Sequence, residues 1–141
     1  MQNRQTENAS PAPSERARAL EERLAQFAAD CLILLDAIPR GRAGASNFRD
    51  QLARSSTAIA ANYAEACASE SRRDFASKVS LALKEAMETR AWLRILLRGG
   101  FFGVSEIGPL SDEVNSIVRI LGKSVSTARE RIGKEKPRRN A

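Results

Sequence analysis

The sequence predicts an all-α protein, a single antiparallel four-helix bundle with up-down-up-down topology. In four separate segments, apolar residues recur at intervals of three and four, which places them on one face of a helix. Short stretches containing proline, glycine or serine separate the segments, and none of the segments alternates like a β-strand. Four amphipathic helices with short connections pack well as such a bundle, and 141 residues suffice for one domain with its own core.

The first helix is predicted over residues 15–38, after a polar lead of residues 1–14 that we expect to be disordered. Ser14 is the expected N-cap, and Pro39 cannot continue the helix. The predicted apolar face consists of Leu20, Leu24, Phe27, Cys31, Leu34 or Leu35, and Ile38.

The second helix is predicted over residues 46–68, with Ser46 as its N-cap. Its apolar face consists of Phe48, Leu52, Ser55 or Ser56, Ile59, Tyr63 and Cys67. Alanine and serine dominate the rest of this helix. Small side chains let a neighbouring helix approach closely, so we expect the second helix to be buried on more than one side.

The third helix is predicted over residues 72–98, capped by Ser71 and ending at Gly99-Gly100. Its apolar face consists of Phe75, Val79, Ala82 or Leu83, Ala86, Leu93 and Leu96. Phe101 and Phe102 follow in the turn, where we expect them to plug one end of the bundle.

The fourth helix is predicted over residues 106–131, with Ser105 as its N-cap and Pro109 in its first turn. Its apolar face consists of Ile107, Leu110, Val114, Ile117, Leu121, Val125 and Ala128. The bundle therefore occupies residues 15–132, and residues 133–141 form a basic tail that we expect to be mobile.

The chain contains no histidine, which excludes histidine-dependent triads and the Glu-x-x-His di-iron sites of helical bundles. No phosphate-binding glycine motif or paired-cysteine motif is present. We therefore expect a protein that is not an enzyme and holds neither a metal nor a cofactor. The enzymatic alternative is acid–base chemistry by Glu65 with Glu85 or Glu88, which no nucleophile accompanies.

The two cysteines, Cys31 and Cys67, lie far apart within helical patterns. We interpret them as small buried side chains with free thiols, while a bridge between helices stays open as an alternative. No apolar stretch reaches the length of a membrane span, and the N-terminus lacks the apolar core of a signal peptide. We therefore expect a cytoplasmic protein with no membrane partner.

The formal net charge is +6, with 23 lysines and arginines against 17 aspartates and glutamates. Such an excess favours anionic partners, most commonly RNA or DNA. The third helix carries the candidate nucleic-acid-binding residues, which are Arg72, Arg73, Lys78, Arg90, Arg94 and Arg98. Alternatively, these cations pair with acids of the first helix or are simply solvated.

A second polar set lies where the second and third helices are expected to meet. It consists of Gln51, Arg54, Asn62 and Glu65, with Lys84, Glu85 and Glu88. Polar residues at the edge of a packed seam can determine register, because an unpaired buried group costs about 1–3 kcal/mol.

The segment from residue 51 to residue 88 resembles a family of bacterial four-helix bundles, the 23S ribosomal RNA intervening-sequence proteins. The family pattern is roughly Q-x-x-R-x-x-x-S-I-x-x-N-I-A-E-G, followed by a helix that opens with an acid and phenylalanine. The positions of the family motif or its packing are Gln51, Arg54, Ile59, Asn62, Glu65, Phe75 and Glu85. The departures are Ala58, Tyr63, Ala66 and Lys84-Glu85.

This resemblance implies a bundle that assembles as a ring, with a homopentamer favoured. Relatives of the family include accessory proteins of diversity-generating retroelements, which engage nucleic acid and a reverse transcriptase. The function we expect is therefore a non-enzymatic oligomer that binds nucleic acid or a ribonucleoprotein through a basic surface. A scaffold for protein–protein interaction, with no nucleic-acid role, is the alternative.

Overall fold

The computed structural model describes residues 13–135, and those residues form four α-helices and no strand. The helices are α1 (Pro13–Asp36), α2 (Ala45–Cys67), α3 (Arg72–Arg98) and α4 (Val104–Gly133). The lead of residues 1–12 and the tail of residues 136–141 lie outside the described residues, so the expectations of disorder there concern a part of the chain that is not described.

The helices form a four-helix bundle in which each packs against its neighbours in the chain, and α4 also packs against α1. Among residues 13–135, α1 makes no close backbone approach to α3, nor α2 to α4, so the helices surround one shared core. The α1–α4 seam is the least extensive of the four. The all-α prediction is therefore confirmed.

Ion pairs show how α2 and α3 lie against each other. Arg54 pairs with Glu85 and Glu88, whereas Glu65, farther along α2, pairs with Lys78 near the start of α3.

The start of α3 is as the sequence predicts. The side chain of Ser71 accepts a hydrogen bond of 3.1 Å from the backbone N–H of Asp74, which satisfies one of the unpaired donors of the first turn.

Three other predicted caps are wrong. Helix α1 begins at Pro13, ahead of Ser14. Gly44 precedes α2 with a φ of 82°, so Ser46 lies inside the helix. Helix α4 begins at Val104, because Gly103 adopts an extended conformation and donates its N–H to the Glu106 carboxylate at 2.7 Å. A glycine turn therefore replaces the expected serine cap at α2 and at α4.

The end of α1 also differs from the prediction. The helix stops at Asp36, two residues before Ile38. The N–H groups of Ala37 and Ile38 donate to the carbonyls of Leu34 and Leu35, at 3.0 and 3.2 Å, so the chain tightens into a turn. Ile38 nevertheless stays buried, as its place on the apolar face predicts.

The core follows the predicted faces closely. All seven predicted positions of α4 are buried, and the fully buried large side chains include Phe27, Leu52, Ile59, Leu93 and Leu121. One prediction fails at the end of α2. Cys31 is buried and Cys67 is exposed, and both are free thiols. Cys67 is the last residue of α2 and lines an open hollow beside α1.

The core also contains polar residues at the α2–α3 seam. Ser55 and Thr89 are both fully buried, and their hydroxyl oxygens lie 2.9 Å apart in a hydrogen bond. The Thr89 hydroxyl also lies 2.8 Å from the Glu85 carbonyl. Ser55 was one of two alternatives on the predicted face, whereas Thr89 was absent from it.

Aromatic residues close one end of the bundle, as predicted. Phe102 is buried, and the ring of Phe101 packs edge-on against Phe48 with 5.0 Å between centroids. The Arg42 guanidinium lies 3.9 Å from the centre of the Phe101 ring, and Trp92 packs edge-on against Phe48. These contacts tie the α1–α2 loop to the α3–α4 turn.

Candidate nucleic-acid interface

Helix α3 spans 27 residues and carries all six cations predicted to bind nucleic acid. Two of them are engaged with acids. Arg72 Nη1 lies 3.2 Å from Glu135 Oε1, and Lys78 Nζ lies 2.7 Å from Glu65 Oε2. The Glu65 hydrogen bond raises the pKa of Lys78, because the neighbouring carboxylate favours the charged ammonium. These two cations are therefore less available to an external anion than the others.

The other four candidates, Arg73, Arg90, Arg94 and Arg98, make no ion pair within residues 13–135. A step of four residues advances about 40° around a helix, so the direction drifts by about 80° from Arg90 to Arg98. Consistently, Arg90 is half-buried, while Arg94 and Arg98 are exposed. The three therefore wind around α3 instead of forming a straight row.

A groove between α3 and α4 collects cations from both helices. Arg73 and Lys84 of α3 and Arg129 of α4 line an open hollow of about 480 Å³. The rest of its lining consists of Ala76, Ser77, Ser80, Leu81 and Ile132. No acid lines this hollow, and none of the three cations has an ion pair or a side-chain hydrogen bond within the described part of the chain. We call it the α3–α4 groove.

Like charges around one hollow repel each other, and an anion that enters relieves this repulsion. Serine hydroxyls can donate to the same anion. The chemistry of the groove therefore suits phosphate oxygens. Sequence reasoning missed Lys84 and Arg129 as binding candidates because it considered the periodicity of one helix. The available signal was that Arg129 directly follows Ala128 of the predicted α4 core, which places it at the edge of a seam.

The family-motif residues hold α2 against α3. Arg54 Nη1 lies 3.3 Å from both carboxylate oxygens of Glu85, and its Nη2 donates to Glu88. The indole N–H of Trp92 donates to Glu88 at 3.2 Å. The Arg54 hydrogen bond lowers the pKa of Glu88. This carboxylate therefore stays ionised at neutral pH and is a weaker base than a free glutamate.

The remaining motif residues are also part of the packing. Ile59 is fully buried, and Gln51 and Phe75 are half-buried. Asn62 donates from its side-chain amide to the Ala58 carbonyl, at 2.9 Å, within its own helix. None of these side chains extends the α3–α4 groove.

Residues 13–135 contain neither a metal-binding cluster nor a membrane-spanning helix. No group of three or more cysteine and carboxylate side chains is arranged to hold a metal ion there. No helix in that range combines the length and the apolar character needed to cross a bilayer.

The class of protein is thus an all-α bundle with a basic groove on one flank. Residues 22–123 match the family described as 23S rRNA-intervening sequence protein, and the chain belongs to this family. The kinship with retroelement accessory proteins stays a prediction.

A similar solved structure comes from Bacteroides thetaiotaomicron VPI-5482 and is described as a protein of unknown function from the S23 ribosomal protein family. The two chains are 28% identical, with a TM-score of 0.68 over 75% of this chain and 97% of the other. No match was found among curated proteins.

Proposed function

We propose that this protein is a non-enzymatic, antiparallel helical bundle that binds RNA or DNA, alone or within a ribonucleoprotein, through the α3–α4 groove. The observation that carries the proposal is the set of Arg73, Lys84 and Arg129, three cations around one hollow whose lining contains no acid. Phosphate contacts of this kind supply affinity and position a nucleic acid without reading its sequence.

The distribution of acids supports the proposal. The carboxylates of Glu85 and Glu88 are engaged by Arg54 of α2, so they neutralise the α2 side of α3. The exposed Arg94 and Arg98 remain without acidic partners in the described chain and extend the positive field beyond the groove. Field lines from such a surface steer an anionic polymer toward it at low ionic strength.

We also propose that the protein is a homo-oligomer, with a ring of five subunits favoured. Two exposed features of the single chain support an association surface. Ala61 and Ala64 on α2, with Ala68 directly after its end, form an exposed run of small residues, and Ile95 of α3 is 45% exposed. A ring would repeat the α3–α4 groove and strengthen binding by multivalency. Light scattering tests the assembly, and a monomer at micromolar concentration would refute it.

Binding is tested by fluorescence anisotropy with labelled RNA and DNA of several sequences at two salt concentrations. We compare Arg73→Ala/Arg129→Ala with Lys123→Ala/Arg131→Ala, which removes the same charge from the opposite side of α4. In the first variant we expect uniformly weaker binding, and a slope of log affinity against log salt that is shallower by about 1.4 to 1.8, at 0.7 to 0.9 per lost phosphate contact. The control variant should keep the wild-type slope.

Absence of binding at low salt would refute the nucleic-acid proposal and favour the scaffold, for which the exposed Leu81 and Ile95 provide apolar contact area. Equal losses in both variants would refute the assignment to the α3–α4 groove. A further variant, Arg94→Ala/Arg98→Ala, tests whether the nucleic-acid contact continues along α3. If it does, the slope of log affinity against log salt should become shallower by a similar amount. A nucleic-acid partner makes the cytoplasm the expected compartment.

A further inference from the structure

A second groove lies on the other flank of α4, between α4 and α1 and over the α2–α3 turn. It consists of two hollows of about 760 and 680 Å³ that share Ser69, Phe75, Ile120 and Arg131 in their linings, so they form one continuous trough. The larger hollow lies along the α1–α4 seam, the least extensive seam of the bundle, and the smaller one continues along α4 beside the α2–α3 turn and the start of α3. We call it the α1–α4 groove.

The floor of the α1–α4 groove is apolar. Leu20, Phe75 and Ile120 line it and are only half-buried, so part of each side chain remains open to the trough. Tyr63 and Ala66 lie beneath and are buried. Burial raises the pKa of Tyr63, as expected for a phenol in surroundings of low polarity. Covering this floor would remove apolar surface from water.

The rim of the α1–α4 groove is basic. Its cations are Arg16, Arg23, Arg72, Lys123 and Arg131, and Glu70 is the one acid in the lining. Arg23 pairs with Glu113, and Arg72 pairs with Glu135. The other three cations make no ion pair within residues 13–135. A matching partner therefore has an apolar face with negative charges beside it.

The shape of the groove narrows the partner further. From Ile120 to Arg131 the trough follows α4 over eleven residue steps, or about 16.5 Å at 1.5 Å per step. That length corresponds to about three turns of a docked helix. Small-molecule sites bury most of their ligand, whereas this trough is open along the protein surface. Helix-in-groove recognition uses such a surface, with apolar anchors spaced at i, i+3, i+4 and i+7.

We propose that the α1–α4 groove binds an acidic amphipathic helix of a partner protein. The apolar face of that helix lies on Leu20, Phe75 and Ile120, and its carboxylates approach Arg16, Lys123 and Arg131. This site is separate from the α3–α4 groove, since Arg129 lines one groove and Arg131 the other. The proposal does not depend on nucleic-acid binding, and the protein would have two opposite binding surfaces on α4 if both hold.

The test uses the full chain and a fluorescein-labelled designed helix of about four turns, with leucines at i, i+3, i+4 and i+7 and glutamates beside them. We expect saturable binding by fluorescence anisotropy that weakens at least tenfold in Ile120→Glu and in Lys123→Gln/Arg131→Gln. Arg73→Gln/Arg129→Gln is the matched control, because it also removes two charges but from the other groove, and it should bind the peptide like the wild type.

Four results of the binding assay would overturn the proposal. The first two are no binding by the wild type and equal binding by all variants. The third is equal binding of a peptide that has lysine in place of glutamate. The fourth is that RNA displaces the peptide and that Lys123→Gln/Arg131→Gln changes this displacement. A drop in native mass on Ile120→Glu would assign the groove to subunit contact and overturn it as well. The Lys123→Gln/Arg131→Gln variant changes only exposed side chains. It therefore still tests the proposal if Ile120→Glu does not fold.

Discussion

Replacing Thr89 by valine tests how the buried polar pair stabilises the α2–α3 seam. The substitution keeps the shape of the side chain and removes the hydroxyl. Thr89 and Ser55 are fully buried, and their oxygens lie 2.9 Å apart. Each hydroxyl carries one proton. The two protons are available for two contacts, the one between the two hydroxyls and the one between the Thr89 hydroxyl and the Glu85 carbonyl, whose oxygens lie 2.8 Å apart.

The expected magnitudes follow from which group loses its partner. Thr89→Val leaves the buried Ser55 hydroxyl without its hydrogen-bond partner, which costs about 1–3 kcal/mol. Ser55→Ala leaves Thr89 still bonded to the Glu85 carbonyl, so the loss is about 0.5–1.5 kcal/mol, the net value of one hydrogen bond. The double variant replaces both groups by apolar ones and should recover most of the combined loss.

The assay is urea unfolding followed by far-UV circular dichroism for the wild type, the two single variants and the double variant. Protein concentration is held fixed, because association would otherwise shift the apparent stability. The m-value should stay unchanged, so that the midpoint reports stability alone. A double variant as unstable as the sum of Thr89→Val and Ser55→Ala would refute the reasoning, since the two hydroxyls would then act independently.

Three further predictions follow from the described contacts. The Arg54 hydrogen bond lowers the pKa of Glu88, so this pair stabilises the fold above the ordinary carboxylate pKa of about 4.3 and loses that effect as the pH falls through the folded value. In urea unfolding, the wild type should therefore exceed Glu88→Gln in stability at about pH 7 and lose that advantage at about pH 3; a constant difference would contradict the assignment. Burial raises the pKa of both thiols, that of Cys31 to about 12, but of the two only Cys67 is exposed to a reagent. Iodoacetamide at about pH 8 should therefore label Cys67 in the folded protein and Cys31 only after unfolding, as read by peptide mass spectrometry, and equal rates would contradict the burial. Gly44→Ala should destabilise by about 1 kcal/mol in the same unfolding assay, because a φ of 82° is unfavourable for alanine, and an unchanged midpoint would show that the turn relaxes.

Helix α4 shows how far the sequence predicts the fold. Each of its seven predicted apolar positions, from Ile107 to Ala128, is buried. The prediction succeeds there because apolar residues that recur at the helical repeat lie on one face, and only that face can be buried against the other helices. Thr89 escaped prediction because its hydroxyl is matched by Ser55 on another helix, and periodicity within α3 carries no information about that partner.

Helix starts were less predictable for a conformational reason. Ser46 and Ser105 have the chemistry of an N-cap, yet Gly44 and Gly103 precede the two helices. A cap requires a particular backbone conformation at the position before the helix. At α2 this is a left-handed one, which serine adopts at a steric cost and glycine adopts freely.

The candidate site depended on contacts across long sequence separations. Arg72 meets Glu135, 63 residues away, and Arg73 shares a groove with Arg129. Such groupings require the register between α3 and α4, which the sequence pattern of either helix alone does not contain. The cations of α3 were therefore identifiable from the sequence, but their division into paired and unpaired ones was not.

The cyclic order of the helices has a consequence for folding kinetics. Three of the four seams join helices adjacent in the chain, so most native contacts close short loops, and proteins with such local contacts fold fast. The α1–α4 seam alone requires the two ends of the described chain to meet, and it is also the least extensive. We therefore expect α1 to dock late and to open first, and its amide hydrogens to exchange with solvent before those at the centres of α2 and α3.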